Sequence, residues 1–239
     1  MTSDTTDKKG YEKVKPQYWV TMTLTYLLMP LVLFLSAMDL HWWQGWAYSV
    51  IILSTGICSR FLAEKRHPGL MAERFKFGKG QNVKPWDKVL APLMGFSLTF
   101  PLLIIAGLDH QFGWSHIFPT WVNIIGLILV ALGYSFASWA IVENQFFSIM
   151  MRVQLERGHK VCDSGPYRIV RHPGYAGNIL PLIGITFALN SVWTIIPALL
   201  ALIVTVIRTT LEDQALHEEL RGYREYASRV RYRLIPGIF

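Results

Sequence analysis

The chain has 239 residues, of which 52% are hydrophobic and only 16% are charged, and its formal net charge is +7. Soluble domains usually carry charge on about a quarter of their residues, so this composition argues against a soluble domain and indicates an integral membrane protein. The basic excess is not evidence for a nucleic-acid partner, because its position along the chain gives it another meaning.

The basic residues are confined to a few segments between long apolar runs. Every Lys and Arg lies in one of four segments, residues 8–15, 60–88, 152–171 and 208–233. The intervening turns near Asp39, Asp109 and Asn190 carry none. This one-sided distribution is the positive-inside pattern, so we expect a multi-pass protein with all four segments and both termini in the cytoplasm.

The apolar runs predict an all-α integral membrane protein. Crossing the hydrocarbon takes about 20 helical residues, and four runs are long enough, at residues 18–38, 43–62, 89–108 and 119–142. Residues 176–189 and 192–207 form a shorter pair that reverses at Asn190. The sequence therefore predicts about six membrane helices, four long spans and a C-terminal helical hairpin.

The segments between and after the spans suggest three parts in one membrane domain. Residues 1–17 form a cytoplasmic tail, and residues 18–151 hold helices one to four with a basic loop at 63–88. In that loop Leu70, Met71, Phe75 and Phe77 interleave with charges, which fits a short helix in the headgroup region or a solvated connector. Residues 152–239 hold a polar loop, the hairpin and a tail.

The tail shows a helical period. From residue 211 onward, apolar residues recur at spacings of three or four, at Leu216, Leu220, Tyr223, Ala227 and Val230. One apolar face beside one charged face predicts an amphipathic helix, which can fold back against the polar loop before Pro236 ends it.

The loop at residues 154–177 is the main candidate for chemistry. Its glycines and prolines impose tight turns and permit close approach of a nucleotide-like ligand. His159 and His172 can hydrogen-bond such a ligand, while Tyr167 and Tyr175 offer flat faces for an adenine or a sulfonium. The simpler interpretation of each histidine is an interfacial residue bonded to a backbone carbonyl.

Arg208 and Glu212 stand four residues apart where the last hairpin helix leaves the membrane, so they share one helix face. A charged pair at that depth is usually functional or paired. An intrahelical salt bridge is the structural alternative.

Several motifs occur in a specific order. The loop G-H-K-V-C-D-S-G-P-Y-R-I-V-R-H-P-G-Y-A-G precedes a hairpin, then R-T-T-L-E-D-Q-A-L, then G-Y-R-E-Y-A-S-R-V-R-Y-R-L-I-P. This set resembles the isoprenylcysteine carboxyl methyltransferase family and its phospholipid methyltransferase relatives. The resemblance covers roughly the C-terminal third to two fifths of the chain. Asp213 departs from it, standing where the family usually has a second glutamate.

The resemblance implies roles for individual residues. It implies S-adenosyl-L-methionine as cofactor and a substrate-binding role for Arg208, with Arg208 and Glu212 as the catalytic pair. The residues that it implies around the cofactor are Gln154, His159, Lys160, Val161, Cys162, Tyr167, His172, Pro173, Gly174, Tyr175 and Glu212. Tyr223 and Tyr226 are expected to pack the tail against the loop.

The predicted function is S-adenosylmethionine-dependent methyl transfer to a lipidic or small membrane-partitioning acceptor, through a carboxylate, an amine or a thiol. The expected partners are the lipid bilayer and this hydrophobic substrate, with no nucleic acid and no metal. A membrane oxidoreductase of the sterol-reductase type that uses NADPH is the alternative, since it has a similar arginine-histidine-proline-x-tyrosine segment. Those enzymes generally have Asn where this chain has Gly174. A non-catalytic carrier is a further alternative.

Overall fold

The computed structural model describes residues 14–76 and 82–239, and every regular element in this part of the chain is helical. The α-helices follow in the order α1 (Pro16–Ala37), α2 (Trp43–Arg66), α3 (Leu70–Phe75), α4 (Asp87–Pro92), α5 (Thr99–Phe112), α6 (Thr120–Glu143), α7 (Pro173–Ala188), α8 (Ile195–Glu219) and α9 (Tyr223–Arg229). The prediction of an all-α membrane protein is confirmed.

Five helical segments in the described residues are long and apolar enough to cross a membrane. They are Pro16–Ala37, Trp43–Arg66, Asp87–Phe112, Thr120–Glu143 and Val192–Glu219. Helix α7 has 16 residues, which gives a length of about 24 Å at 1.5 Å per residue. It forms the shorter arm of the predicted hairpin.

The helices alternate in direction, so two apolar clusters mark the two ends of the bundle. Tyr18, Ala63 and Ile141, from α1, α2 and α6, pack together at one end with the buried residues of α3. Trp42, Leu127 and Ala188 belong to the cluster toward the other end. We call the first the basic end, because Arg66, Arg152 and the polar loop lie there.

Helices α6 and α7 approach each other through glycines. A Cβ added at Gly126 would lie 2.4 Å from the backbone nitrogen of Ala188, and one at Gly133 would lie 2.5 Å from the carbonyl oxygen of Gly177. Both distances are far inside van der Waals contact. The two backbones therefore touch, which fixes α7 and the loop before it on α6.

The third span is a helix interrupted by a π-helical turn at Leu93–Ser97. The amide of Leu98 donates to the carbonyl of Leu93 at 3.0 Å, five residues back. Pro92 and Pro101 flank the turn, and each lacks the amide that a regular helix needs there. The span also begins at Asp87, two residues before the predicted start, because this buried carboxylate is paired inside the protein.

The loop after α2 and the tail after α8 differ in part from expectation. Helix α3 is present, and its Leu70 and Met71 are almost fully buried against the bundle, so a solvated connector is wrong. Phe77 and residues 1–13 lie outside the described residues. The tail is not one amphipathic helix, because α8 ends at Glu219 and α9 starts after Gly222, whose φ of 85° suits glycine.

Candidate active site

A cavity of about 450 Å³ extends from the polar loop at the basic end into the helix bundle. Among its lining residues, His159, Tyr167, Glu212 and Tyr223 lie at the loop, while Tyr26, Ile52, Met94 and Leu102 belong to the membrane helices. A polar compartment and an apolar compartment are thus continuous. Such an arrangement can bring a soluble cofactor and a membrane-borne molecule together.

The tail holds the polar loop in place by running alongside it. The amide of Arg171 donates to the carbonyl of Tyr232 at 2.9 Å, and the amide of His172 donates to the carbonyl of Arg233 at 3.0 Å. From α9, the Tyr226 hydroxyl donates to the carbonyl of Tyr167 at 2.7 Å. The expectation that the tail packs on the loop is therefore met, although by the short helix α9 and by residues 230–233, which we call the strap.

Asp213 of α8 connects the strap to the loop, and its side chain is only 1% exposed. Its oxygens accept hydrogen bonds from Nε and Nη2 of Arg171, at 2.8 and 3.0 Å, and from Nε of Arg233 at 2.8 Å. The Tyr223 hydroxyl donates to it at 2.8 Å. One carboxylate from α8 thus joins the loop, α9 and the tail, and the bidentate pair with Arg171 is the geometry in which such bonds are strongest.

Glu212, the neighbour of Asp213, faces the cavity. The Tyr175 hydroxyl donates to its Oε2 at 2.6 Å, and Nδ1 of His172 lies 3.8 Å from its Oε1. The other ring nitrogen of His172 lies 3.2 Å from Asp213. Tyr175 of α7 and His172 of the loop before it therefore flank one partly exposed carboxylate of α8, which can receive a cationic group or a proton.

Arg208 does not pair with Glu212. Its Nε and Nη2 donate to the two oxygens of Asp87 at 2.7 and 2.8 Å, and its Nη2 also donates to the carbonyl of Ile149 at 2.6 Å. Its guanidinium lies over the ring of Tyr175, at 5.3 Å from the centroid. The intrahelical salt bridge is therefore wrong, and Nη1 of Arg208 has no hydrogen bond to a described residue.

His159 lies at the other side of the loop. The amide of Gln154 donates to its Nδ1 at 3.1 Å, and its ring stacks on Phe146 at 4.4 Å. Burial, together with the charges of Arg157 and Arg152, lowers the pKa of His159 to about 4. The imidazole is therefore neutral at pH 7, and its Nε2 carries the proton.

Most residues of the predicted cofactor set converge on the cavity. Those that line it are His159, Val161, Cys162, Tyr167, His172, Gly174, Tyr175 and Glu212, together with Arg208. Gln154, Lys160 and Pro173 do not. Gln154 is fully buried and donates to the carbonyl of Phe146, Lys160 is exposed, and Pro173 occupies the first turn of α7.

Two features of the site were missed from the sequence. Asp87 is fully buried and completes the pair with Arg208, yet in the sequence it stands beside Lys88 at the end of the basic loop. A single acid at the head of an apolar run was the available signal, since such a residue needs a partner. Asn144 also escaped notice, and its amide donates to the Tyr167 hydroxyl at 3.2 Å.

Comparisons with known proteins relate the region that carries most of this site to methyltransferases. Residues 121–221 match the family model described as phospholipid methyltransferase. Two proteins of Oryza sativa, from subspecies indica and japonica, are called probable protein-S-isoprenylcysteine O-methyltransferase. Each is 31% identical over 112 residues, covering 46% of this chain and 59% of the relative. Protein-S-isoprenylcysteine O-methyltransferase B of Arabidopsis thaliana is 30% identical over 113 residues, covering 46% of this chain and 57% of its own length.

The resemblance to the isoprenylcysteine carboxyl methyltransferase family is confirmed. The chain spans about three fifths of the length of these curated relatives. On the structure, residues 121–221 comprise nearly all of α6, the polar loop, α7 and α8. This methyltransferase-like region supplies one wall of the cavity, and α1 to α5 supply the other.

Proposed function

We propose that this chain is an integral membrane methyltransferase that moves a methyl group from S-adenosylmethionine to a lipidic or small membrane-partitioning acceptor. The observation that carries the proposal is the cavity, in which the residues implied for the cofactor meet apolar walls from membrane helices. The similarity of residues 121–221 to phospholipid methyltransferases supports the same conclusion.

The residues at the loop end of the cavity suit S-adenosylmethionine. This molecule carries a sulfonium and an ammonium, and Glu212 is a carboxylate at that end of the cavity, held by Tyr175. Tyr167 and neutral His159 give flat, uncharged surfaces for an adenine. We assign to this set the cofactor role implied by the resemblance, with Gln154 and Pro173 supporting the loop from behind.

When bound, S-adenosylmethionine supplies a methyl group that is already activated on sulfur. The chain then has to align the acceptor atom in line with the methyl group and exclude water, which the strap at Asp213 and the buried walls can do. A carboxylate acceptor needs no base. An amine or thiol acceptor must lose a proton first, and Glu212 is the candidate to receive it.

Arg208 is assigned to the acceptor. Asp87 accepts hydrogen bonds from Nε and Nη2 of Arg208, which leaves Nη1 as a donor on a side chain that lines the cavity. Pairing also balances its charge. We infer that Arg208 orients an oxygen of the acceptor head group.

For the orientation in the membrane, we propose that the basic end faces the cytoplasm. The four basic segments of the sequence support this placement through the positive-inside pattern. Soluble S-adenosylmethionine would then enter from the cytoplasm under the strap, while the acceptor arrives between the membrane helices.

Replacing Glu212 with Ala tests the assignment of the cofactor. We expect binding of S-adenosylhomocysteine, measured by calorimetry on detergent-purified protein, to be lost while the thermal unfolding temperature changes little. Glu218→Ala is the matched control, because Glu218 is exposed on the same helix. Equal affinity in Glu212→Ala and the control would remove the assignment.

A second variant separates binding from turnover. Arg208→Lys keeps a positive charge beside Asp87 but loses the bidentate contact and the fixed position of Nη1. We expect S-adenosylhomocysteine to bind normally and methyl transfer to fall by at least about tenfold. Full activity would reduce the role of Arg208 to a structural ion pair.

A further inference from the structure

Among the described residues, five arginines line the cavity, and they fall into two groups. Three are paired with carboxylates, namely Arg208 with Asp87, Arg171 with Asp213, and Arg152 with Glu73 and Glu156. The other two, Arg60 of α2 and Arg74 of α3, form no ion pair with a described carboxylate. Both lie outside the region that matches the methyltransferase family.

Arg60 and Arg74 are held in place by neutral groups. Nη1 of Arg60 donates to the carbonyl of Gly56 and to the hydroxyl of Ser59, and its guanidinium lies 5.1 Å from the centroid of the Tyr26 ring. Nη1 of Arg74 donates to the carbonyl of Phe147 at 2.9 Å. Each guanidinium has five N–H donors, so most donors of both remain for a ligand.

The carboxylates on the neighbouring turns are engaged elsewhere. Glu64, one turn after Arg60, accepts the amides of Gly69 and Met71 at 2.7 and 2.9 Å. Glu73, beside Arg74, pairs with Lys76 and Arg152. The charge of the two cavity arginines is therefore not balanced by the carboxylates closest to them in sequence.

Two like charges at a buried wall are unfavourable unless an anion joins them. Arg74 is only 8% exposed. Burial and the charge of Arg60 together lower the pKa of Arg74 to about 10, so Arg74 stays charged at pH 7 and the two cations affect each other. A buried charge without a counter-charge is unfavourable, and a carboxylate that contacts both guanidiniums would balance the two charges.

We propose that Arg60 and Arg74 form a second anion-binding subsite of the cavity, which takes a carboxylate of one of the two reacting molecules. The carboxylate belongs either to an acidic acceptor or to the amino-acid end of S-adenosylmethionine. This proposal rests on the proposed function for the identity of those molecules. It assigns to the N-terminal half of the chain a role in recognising substrate charge.

The test compares a double variant with a matched control in the full-length, detergent-purified protein. Arg60→Gln/Arg74→Gln removes both charges, and Gln at position 74 can still donate to Phe147. Arg224→Gln/Arg229→Gln removes two charges from exposed positions of α9. Calorimetry uses two matched pairs of probes, N-acetyl-S-farnesylcysteine with its carboxamide, and S-adenosylhomocysteine with its decarboxylated form.

We expect the cavity variant to bind N-acetyl-S-farnesylcysteine at least about tenfold more weakly, with the carboxamide unchanged, because charge-assisted hydrogen bonds are lost. A selective loss of S-adenosylhomocysteine, with the decarboxylated form unchanged, supports the subsite and assigns it to the donor. The unfolding temperature should stay level or rise, since an unfavourable pair of charges has been removed.

Two results would overturn the subsite. One is unchanged binding of all four probes, and the other is an equal loss for the acid and its amide accompanied by a lower unfolding temperature, which marks a structural role. A wild-type protein that does not bind S-adenosylhomocysteine would instead refute the proposed function. The comparison of the acid with its amide would still decide whether the subsite exists.

Discussion

The two halves of the molecule treat charge differently. In and beside the methyltransferase-like region, Arg171 and Arg233 are joined in one network around Asp213, and Glu212 stands beside it with Tyr175. The N-terminal half contributes single charges to the same cavity. Asp87 neutralises Arg208 across the bundle, whereas Arg60 and Arg74 stay without a described carboxylate.

This difference suggests a division of roles. The network around Asp213 can hold a cofactor loop in one geometry with few contacts to the rest of the protein. Such a network suits a region that this chain shares with its relatives. Isolated charges on a separate wall can change without disturbing that network, which fits a surface that recognises the acceptor. We therefore expect variants in the network to affect folding and cofactor binding together. Variants in the N-terminal wall should change one of these properties without the other.

The largest effect is expected from Asp213→Ala. The change leaves Arg171, whose side chain is 8% exposed, with no carboxylate among the described residues, and it removes the contacts of Tyr223 and Arg233 with α8. Removing one partner of a buried pair costs about 3–5 kcal/mol, and several partners are lost here. The thermal unfolding temperature should fall sharply, and binding of S-adenosylhomocysteine should be lost. Asp163→Ala, which breaks an exposed pair with Arg229, should change stability by less than about 1 kcal/mol.

Asp87→Ala should come next. It leaves Arg208 buried and unpaired and removes the acceptor of the Met151 amide, at a cost of about 3–5 kcal/mol in unfolding free energy. The cofactor end should keep its affinity for S-adenosylhomocysteine in the folded fraction. The double variant Asp87→Ala/Arg208→Met should recover part of the lost stability. A double variant that is no more stable than Asp87→Ala would contradict a buried ion pair.

A smaller effect is expected where α6 and α7 pack closely within the methyltransferase-like region. Gly133→Ala places a methyl group 2.5 Å from the carbonyl oxygen of Gly177, so α6 and α7 must separate. Overpacking of this kind costs about 1–3 kcal/mol. Gly95→Ala is the control, since a Cβ there meets nothing within 4 Å. Similar unfolding temperatures for the two variants would show that the close approach of α6 and α7 is unimportant.

The smallest expected effect is a dependence of stability on pH. Burial, with the nearby arginine charges, lowers the pKa of His159 from its usual 6.5 to about 4. Between pH 6.5 and 4, His159 therefore binds a proton in the unfolded chain but not in the folded protein. Stability from this group is present above pH 6.5 and is lost as the pH falls toward 4. In His159→Asn the loss should be shallower, as measured by unfolding temperature between pH 7.5 and 5. Parallel curves would mean that His159 is not buried in its neutral form.

Sequence patterns could predict the elements but not their long-range pairing. The spans, the short helix α3 and the first turn of α7 at Pro173 follow from apolar length, from interleaved charges and from proline at a helix start. The break at Gly222 was not expected, because the apolar spacing continues through it and only the φ of 85° shows the turn.

The site shows the same limit more sharply. The resemblance to the methyltransferase family predicted residues that line one cavity, including His159, Tyr175 and Glu212. It could not supply the partner of Arg208, because Asp87 is 121 residues away in the chain and pairs through the packing of α4 on α8. Likewise, Asp213 looked like a minor departure from a motif, whereas its contacts make it the centre of the strap.

The central claim is that the loop end of the cavity binds S-adenosylmethionine. The most direct measurement is calorimetric titration of the detergent-purified protein with S-adenosylhomocysteine and, separately, with NADPH. The account predicts saturable binding of S-adenosylhomocysteine with one site per chain and no binding of NADPH. Saturable binding of NADPH alone would contradict the account and assign the same loop to the reductase alternative.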